Sequence, residues 1–167
     1  MLQTSKKLYQ KLQKQYSRRI NLDLKRIKKV LEKLNHPEEQ IDKVVNVIGS
    51  DGKNSFLISL KFFLEANKEK VNTFTSPHLY DVRHRFWLGN KFISLKEIQK
   101  YKKVIERTKL KLTLFELLTC IYILSATKTD SESYNLVESG LLFKKDSTNL
   151  WSNPCLLYTS PSPRDRG

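Results

Sequence analysis

Apolar residues recur three or four positions apart in four stretches of the chain, a spacing that places them on one face of a helix. The four sets are Leu24, Ile27, Leu31 and Leu34; Phe56, Leu57, Leu60, Phe63 and Leu64; Ile98, Tyr101 and Ile105; and Leu117, Ile121 and Leu124. The first helix is expected to end before Pro37, because the residue preceding a proline avoids the helical region. The last two begin with Ser94-x-x-Glu97 and Thr113-x-x-Glu116, which are typical of capping boxes. The pattern therefore predicts four helices, with both glutamates in capping roles.

Short apolar and β-branched runs lie between these helices. Residues 44–48, 71–75 and 134–138 are predicted to be strands, and residues 86–93 a hairpin around a Gly-Asn turn. Helices that alternate with short buried strands favour a parallel sheet. The sequence therefore predicts an α/β fold with a mostly parallel sheet flanked by helices.

Composition narrows the class of protein. The chain has 167 residues, of which 39% are hydrophobic and 29% are charged. That length suits about one domain with a real core and argues against a large multidomain enzyme, unless the chain is a piece of one. No apolar run approaches the roughly 18 residues of a membrane span, and the lysine-rich start does not resemble a signal peptide. Cys120 and Cys155 make no disulfide framework, and no Cys/His spacing suggests zinc, so we expect a cytoplasmic protein.

The net charge of +14 indicates an anionic partner, either nucleic acid or a small anion. Roughly half of that excess lies within residues 1–43, and residues 1–20 are interpreted as a basic N-terminal extension. A basic helix that binds RNA is one interpretation, and a solvated lysine-rich face is the other. The second is favoured, because no aromatic side chains interleave with the lysines as they do in RNA-binding strands.

The first predicted strand runs directly into a loop with phosphate-binding chemistry. Its residues are Gly49, Ser50, Asp51, Gly52, Lys53, Asn54 and Ser55. Glycines let backbone N–H groups approach phosphate oxygens, and the N-terminus of the following helix adds partial positive charge. Lys53 would neutralise the β- and γ-phosphates of a nucleotide, and Ser55 could hold Mg²⁺. The spacing G-x-x-G-K-x-S differs from the standard G-x-x-x-x-G-K-[ST], so a glycine turn that only caps a helix is the alternative.

Polar residues also follow the second and third predicted strands. The carboxyl ends of parallel strands face one ligand crevice, so Ser76, His78 and Glu138 are expected beside the phosphate loop. Glu138 could bind Mg²⁺ directly or through water. A cationic cluster suited to a carboxylate or phosphate comes next, consisting of Arg83, His84 and Arg85. The alternatives are loop histidines and a strand-end glutamate that are merely exposed to solvent.

Four motifs occur in one order along the chain. They are G-S-D-G-K-N-S at residues 49–55, T-S-P-H-L-Y-D-V-R-H-R at 75–85, L-T-L-F-E at 112–116 and V-E-S-G-L…D-S-T-N at 137–149. Together they resemble the N-terminal part of the folylpolyglutamate synthase/dihydrofolate synthase family, within the Mur ligase superfamily. The resemblance extends from about residue 21 to residue 149, and T-S-P-H-L is its most specific segment. It implies a partial P-loop-type sheet that belongs to an incomplete Mur-ligase central ATPase domain.

The resemblance also implies a reaction and its residues. The reaction is an ATP-dependent ligation that joins L-glutamate to a carboxylate of dihydropteroate or a folate through an acyl phosphate, with Mg²⁺ as cofactor. Residues 49–55 would bind the ATP phosphates, and Lys53 and Glu138 would be catalytic. The Mg²⁺ ligands would be Ser55, Ser76 and Glu138, and the folate-binding residues would be Pro77, His78, Leu79 and Arg83.

The chain departs from the family's pattern in two places. Asn54 stands where the family usually has glycine, and Asp51 adds negative charge beside the phosphates, which is unfavourable without an intervening cation. The family's G-L-G-G-R-L-D-A-T-N appears here as G-L-L-F-K-K-D-S-T-N, with added bulk at Leu142 and Phe143. One of the two lysines of that segment could supply the charge of the missing arginine. We interpret these departures as those of a variant subgroup with a changed substrate preference.

The chain changes character after Pro154. Residues 155–165 match the in-frame translation of a transposon-end adapter used in DNA library preparation, although composition alone would also allow a disordered Ser/Pro tail. We therefore expect residues 21–153 to be the N-terminal part of a truncated ATP-binding domain, and residues 154–167 to be foreign. A sheet truncated in this way would expose an unpaired edge.

Two classes of function follow. In the first, the chain is a piece of a monomeric ligase that acts on ATP, L-glutamate and dihydropteroate or a folate, without membrane or nucleic-acid partners, and the piece is inactive alone. In the second, it is a non-enzymatic basic P-loop or RNA-binding module, whose RNA affinity would depend steeply on salt.

Overall fold

The computed structural model describes residues 2–17, 23–49, 51–140, 143–151 and 156–160. The helices are α1 (Leu2–Gln15), α2 (Lys25–Lys33), α3 (Lys53–Ala66), α4 (Leu95–Glu106) and α5 (Leu114–Ala126). The strands are β1 (Val44–Gly49), β2 (Val71–Phe74), β3 (Phe86–Gly89), β4 (Lys91–Phe92), β5 (Tyr134–Glu138) and β6 (Leu156–Ser160). Short 3-10 turns occur at Pro37–Gln40, Val82–Arg85 and Phe143–Lys145. Among the described helices, none has both the length and the apolar character needed to span a membrane.

The strands form one sheet in the order β4-β3-β2-β5-β1-β6. β1 pairs in parallel with β5 on one side and with β6 on the other, and β2 also pairs in parallel with β5. β2, β3 and β4 are antiparallel neighbours, and the predicted Gly-Asn turn joins the last two. The predicted α/β class with a mostly parallel sheet is confirmed.

The register of the parallel strands brings three loops to one edge of the sheet. Val47 of β1 is paired with Glu138 of β5, and Phe74 of β2 is paired with Val137. The phosphate loop follows β1 directly, and Ser76 comes two residues after the end of β2. We call this side of the sheet the carboxyl edge.

Helices cover the two faces of the sheet unequally. On the α5 face, α1, α2, α4 and α5 pack over strand residues such as Val44, Phe74 and Val137. α5 is buried along most of its length, as expected of a helix that is apolar on all sides. On the α3 face, a much smaller cluster joins Leu57 of α3 to residues of β1, β2 and β5.

The N-terminal residues contribute to the core. The sequence predicted an extension over residues 1–20, whereas in the structure Leu2–Gln15 form α1 and Leu12 is fully buried in the α5-face core. Ser5 is buried as well, and its hydroxyl donates a hydrogen bond to Asp81. Leu8 packs against the same core one helical turn before Leu12. The described part of this segment therefore belongs to the folded unit.

Both predicted capping boxes are present. The Ser94 hydroxyl accepts from the Glu97 N–H at 3.1 Å, and the Glu97 carboxylate accepts from the Ser94 N–H at 2.8 Å. Thr113 and Glu116 make the same reciprocal pair at 3.3 and 2.6 Å. α2 also ends before Pro37, as predicted.

The edge of the described sheet next to the phosphate loop is formed by β6, so the expected unpaired edge lies on β6. β6 pairs in parallel along β1, from Val45 to Gly49. A strand edge presents backbone donors and acceptors that any extended segment can satisfy, whatever its side chains. The pairing therefore does not bear on the origin of residues 154–167, which include β6.

Candidate functional site

The phosphate loop leaves β1 through two glycines that have positive φ angles. Gly49 has a φ of 142° and Gly52 a φ of 75°, which residues with a Cβ rarely adopt. Gly52 is the N-cap of α3 and, as a glycine, gives the first N–H groups of the helix no side-chain cap of its own. Exposed N–H groups at the positive end of a helix suit an anion.

Lys53 is the first residue of α3 and reaches back across the loop. Its Nζ donates to the backbone carbonyl of Gly49 at 2.6 Å. Among the other predicted phosphate-binding residues, Ser50 lies outside the described residues, and those exposed to solvent are Asp51, Gly52, Asn54 and Ser55. The loop therefore places an ammonium group beside the N-terminus of α3.

Glu138 is a buried acid at the carboxyl edge. It is 5% exposed, and its Oε2 accepts a hydrogen bond from the Ser76 N–H at 2.8 Å. Burial raises the pKa of Glu138, while that hydrogen bond and the charges of Lys53 and Arg85 oppose the rise. A divalent cation at the carboxylate would favour its ionised form further.

A cavity of about 450 Å³ opens at this edge, within the range of small-molecule sites. Its walls come from α1, the start of α3, the segment after β2, the start of α5 and the loop after β5. The lining residues include Tyr9, Gln13, Lys53, Ser76, Pro77, Arg85, Phe115, Glu116, Glu138, Lys145 and Asp146. The structure thus brings Lys53, Ser76 and Glu138 to one cavity.

Two of the cavity's acids already have protein partners. Glu116 caps α5 and also accepts from the Arg26 guanidinium, with both oxygens 3.1 Å from Nη2. Asp146 accepts from the Gly140 N–H at 3.1 Å and the Thr148 N–H at 2.9 Å. A Cβ at Gly140 would lie 2.6 Å from Asp146 Oδ2, so a larger residue there would displace this carboxylate. Both carboxylates therefore fix the shape of the wall.

His78 is engaged with Arg85 and with α1. Its Nδ1 accepts from Arg85 Nε at 2.8 Å, and the Tyr9 ring meets its ring edge-on with centroids 4.4 Å apart. Burial, followed by the Arg85 charge, lowers the pKa of His78 to about 4. The imidazole is therefore neutral at pH 7, as an acceptor nitrogen must be.

The remaining predicted folate-binding residues are dispersed. Pro77 lines the cavity, whereas Leu79 is 84% exposed. Arg83 is bound to Asp81, with Nη2 2.6 Å from Oδ2. Although burial raises the pKa of Asp81, hydrogen bonds from Arg83 and Ser5 hold it far below its ordinary range.

Several cavity residues were not assigned a site from the sequence. Arg85 was one member of a cationic cluster, and Tyr9 and Gln13 lie in the presumed extension. A usable signal was present for α1, because Leu8 and Leu12 are four residues apart and mark one packed face. Leu142 lies outside the described residues, and Phe143 is described only as backbone.

The chain is similar to known enzymes over most of its length. No family model matches the chain. It is 33% identical over 135 residues to a dihydrofolate synthetase of Saccharomyces cerevisiae, covering 78% of this chain and 31% of that protein. It is 27% identical to a dihydrofolate synthase/folylpolyglutamate synthase of Bacillus subtilis, covering 76% of this chain and 31% of the relative.

Solved structures of enzymes with these names also match the chain. A bifunctional folylpolyglutamate synthase/dihydrofolate synthase from Yersinia pestis, complexed with AMPPNP and Mn ion, matches with a TM-score of 0.75 and 27% identity. The match covers 86% of this chain and 35% of that one. The chain therefore spans about a third of the length of the relatives it matches.

Proposed function

The chain belongs to the folylpolyglutamate synthase/dihydrofolate synthase family, and we propose that the full-length protein is an ATP-dependent ligase. It would add L-glutamate to a carboxylate of dihydropteroate or a folate. The observation that carries the proposal is the convergence of Lys53, Ser76 and Glu138 on one cavity beside the positive end of α3. Residues 21–153 would be part of the ATP-binding domain, and residues 154–167 would be foreign to the protein.

The residues of this edge fit a hard divalent cation. The Glu138 carboxylate and the hydroxyls of Ser55 and Ser76 are oxygen donors of the kind that Mg²⁺ prefers. Burial raises the pKa of Glu138. A bound cation would lower that pKa and keep the carboxylate ionised. When bound, Mg²⁺ would neutralise charge on the transferring phosphoryl group.

The chain's own residues would bind and orient the reactants. Lys53 would exchange its contact with the Gly49 carbonyl for the phosphates of ATP. In the proposed reaction a substrate carboxylate oxygen attacks the γ-phosphorus and ADP leaves. The glutamate amine then attacks the acyl carbon, loses a proton, and phosphate leaves. Neither step needs a protein nucleophile. The rate enhancement would therefore come from positioning the reactants and from cations that stabilise the developing charge.

The remaining assignments are part of the same proposal. Pro77, His78, Leu79 and Arg83 would border the folate site, with His78 and Arg83 acting through Arg85 and Asp81, their partners in the structure. The protein would work as a cytoplasmic monomer on small molecules. Nothing in the relatives favours the alternative of an RNA-binding module, and the basic residues of α2 include the exposed Lys28 and Lys29, which fit a solvated face.

Binding of MgATP to the purified chain tests the phosphate site. Lys53→Ala should weaken MgATP binding about tenfold or more, because it removes a charge-assisted contact to the phosphates. Lys96→Ala is the matched control, since Lys96 is exposed on α4 and the variant loses the same charge. Isothermal titration would measure both. Equal MgATP affinity in Lys53→Ala and wild type would overturn the assignment.

Turnover by the full-length enzyme tests the substrate class. Glutamate addition to dihydropteroate and to tetrahydrofolate, measured side by side, would separate a dihydrofolate synthase from a folylpolyglutamate synthase or a bifunctional enzyme. Failure to add glutamate to either acid in the presence of MgATP would contradict the proposed reaction.

A further inference from the structure

Arg85 is a buried cation that the Glu138 carboxylate influences only from a distance. It is 6% exposed and lines the cavity. Among the described residues, no carboxylate oxygen lies within 4.0 Å of its guanidinium. Its partners are neutral: His78 Nδ1 accepts from Nε at 2.8 Å, and Tyr9 accepts a further hydrogen bond. A buried charge without a counterion in direct contact is costly, so such a site favours an anion from solution.

Arg83, two residues earlier, shows the opposite arrangement. Its Nε and Nη2 atoms bind both oxygens of Asp81 at 2.6–3.1 Å. That guanidinium is neutralised within the protein and does not line the cavity. The two arginines therefore have different roles. Arg83 stabilises the turn Val82–Arg85, whereas Arg85 lines the cavity.

The surroundings of Arg85 hold it in a fixed orientation. The neutral His78 ring accepts from Nε, so the planar guanidinium is tied at one corner. Tyr9 of α1 contacts both His78 and Arg85. His78 and Tyr9 together use two of the five N–H groups of Arg85, and the remaining three are enough to bind a carboxylate in bidentate fashion.

We propose that Arg85 binds the carboxylate of the acid substrate, with Tyr9 and His78 as positioning residues. This inference rests on the proposed ligase function and adds a residue that the sequence motifs did not assign. Lys53 serves the phosphates of ATP from the phosphate loop, while Arg85 serves the acid. Both cations line the same cavity as Glu138, so the two reactants would meet in that cavity.

A pair of ligands that differ in one charge tests the inference on the 167-residue chain. The probes are pteroate and its neutral carboxamide, titrated calorimetrically into wild type. Wild type should bind the acid about tenfold more tightly than the amide, because only the acid can make a charge-assisted bidentate contact with Arg85. This preference should decline as NaCl is raised.

Three variants complete the test. Arg85→Gln should abolish the preference for the acid, and Arg85→Lys should retain part of it, because charge is kept without the planar fork. Arg107→Gln removes an equal charge from an exposed position and should keep the full preference. Thermal melting of each variant checks folding. If Arg85→Gln does not fold, the ratio of the affinities for acid and amide in wild type and in Arg85→Lys still tests the proposal.

The contrary outcomes are distinct. Equal affinity of wild type for acid and amide, or an unchanged preference in Arg85→Gln, would overturn the role of Arg85. Weaker MgATP binding in Arg85→Gln with an intact preference would place Arg85 on the nucleotide and overturn it as well. Absence of MgATP binding that depends on Lys53 would instead contradict the proposed function.

Discussion

The two faces of the sheet differ in how much apolar surface they bury. Among the described residues, the α5-face cluster contains 24 buried residues, whereas the α3-face cluster contains 5. On the outer side of α3, Ile58, Phe62 and Phe63 are 42%, 63% and 65% exposed. The α3 face nevertheless carries the phosphate loop and Lys53. The α5 face therefore contributes most of the stability of the fold. The helix α3, which carries the phosphate site, is held by a small apolar cluster.

Leu117→Ala should have the largest effect. Leu117 is fully buried in α5, and the dense packing around it limits relaxation into the space left behind. We expect a loss of about 4 kcal/mol in the free energy of unfolding, near the upper end for buried leucines. Urea denaturation followed by circular dichroism would measure it. A loss below about 2 kcal/mol would mean that the α5 face is not the main source of stability.

Leu57→Ala probes the α3 face at equal burial. Leu57 is also fully buried, but its cluster is small and bordered by partly exposed side chains that can shift. We expect a loss of about 2 kcal/mol, because the site can collapse more completely. The same denaturation experiment applies. A loss equal to that of Leu117→Ala would remove the difference between the two faces.

Thr113→Ala tests a cap on the α5 face. The substitution removes the hydroxyl that accepts from the Glu116 N–H, and should cost about 1 kcal/mol of unfolding free energy. Ser94→Ala removes the equivalent cap of α4 and should cost a similar amount, which makes it the matched control. Thermal denaturation would rank them. A cost near zero for Thr113→Ala would indicate that the Arg26–Glu116 pair alone holds the start of α5.

Phe62→Ser should have the smallest effect on stability. The Phe62 ring is mostly exposed and meets Lys61 Nζ at 4.8 Å from the ring centroid, a contact of modest worth. We expect a change within about 0.5 kcal/mol in the free energy of unfolding, measured by the same urea denaturation. A loss above about 2 kcal/mol would show that Phe62 is packed in solution.

Local signals predicted much of the fold. Helical spacing, β-branched runs and capping boxes each report on a few neighbouring residues, and they placed α2 to α5, the hairpin and the three parallel strands β1, β2 and β5. The carboxyl edge followed from those strands, because parallel strands end on the same side of a sheet. Ser76, His78 and Glu138 were therefore expected beside the phosphate loop; Ser76 and Glu138 line one cavity with Lys53, whereas His78 reaches it through Arg85.

Features that depend on tertiary contacts were not predictable in this way. Arg83 and Arg85 have the same chemistry in sequence, and only the turn between them decides which one binds Asp81 and which one enters the cavity. The packing of α1 was not predicted, because the lysines close to Leu8 and Leu12 in the sequence suggested a solvent-exposed segment. The position of β6 beside β1 depends on backbone pairing, which leaves little trace in the side chains.

The sheet order has a consequence for biosynthesis. β1 pairs with β5 and β6, and Val44 finds its partner only at Asn135. During translation, the strand that bears the phosphate loop leaves the ribosome long before any strand that can pair with it. Contacts between such distant segments form slowly, and an unpaired apolar strand is prone to associate with other chains. A nascent chain halted before β5 would therefore hold a complete phosphate-loop sequence without a sheet to support it.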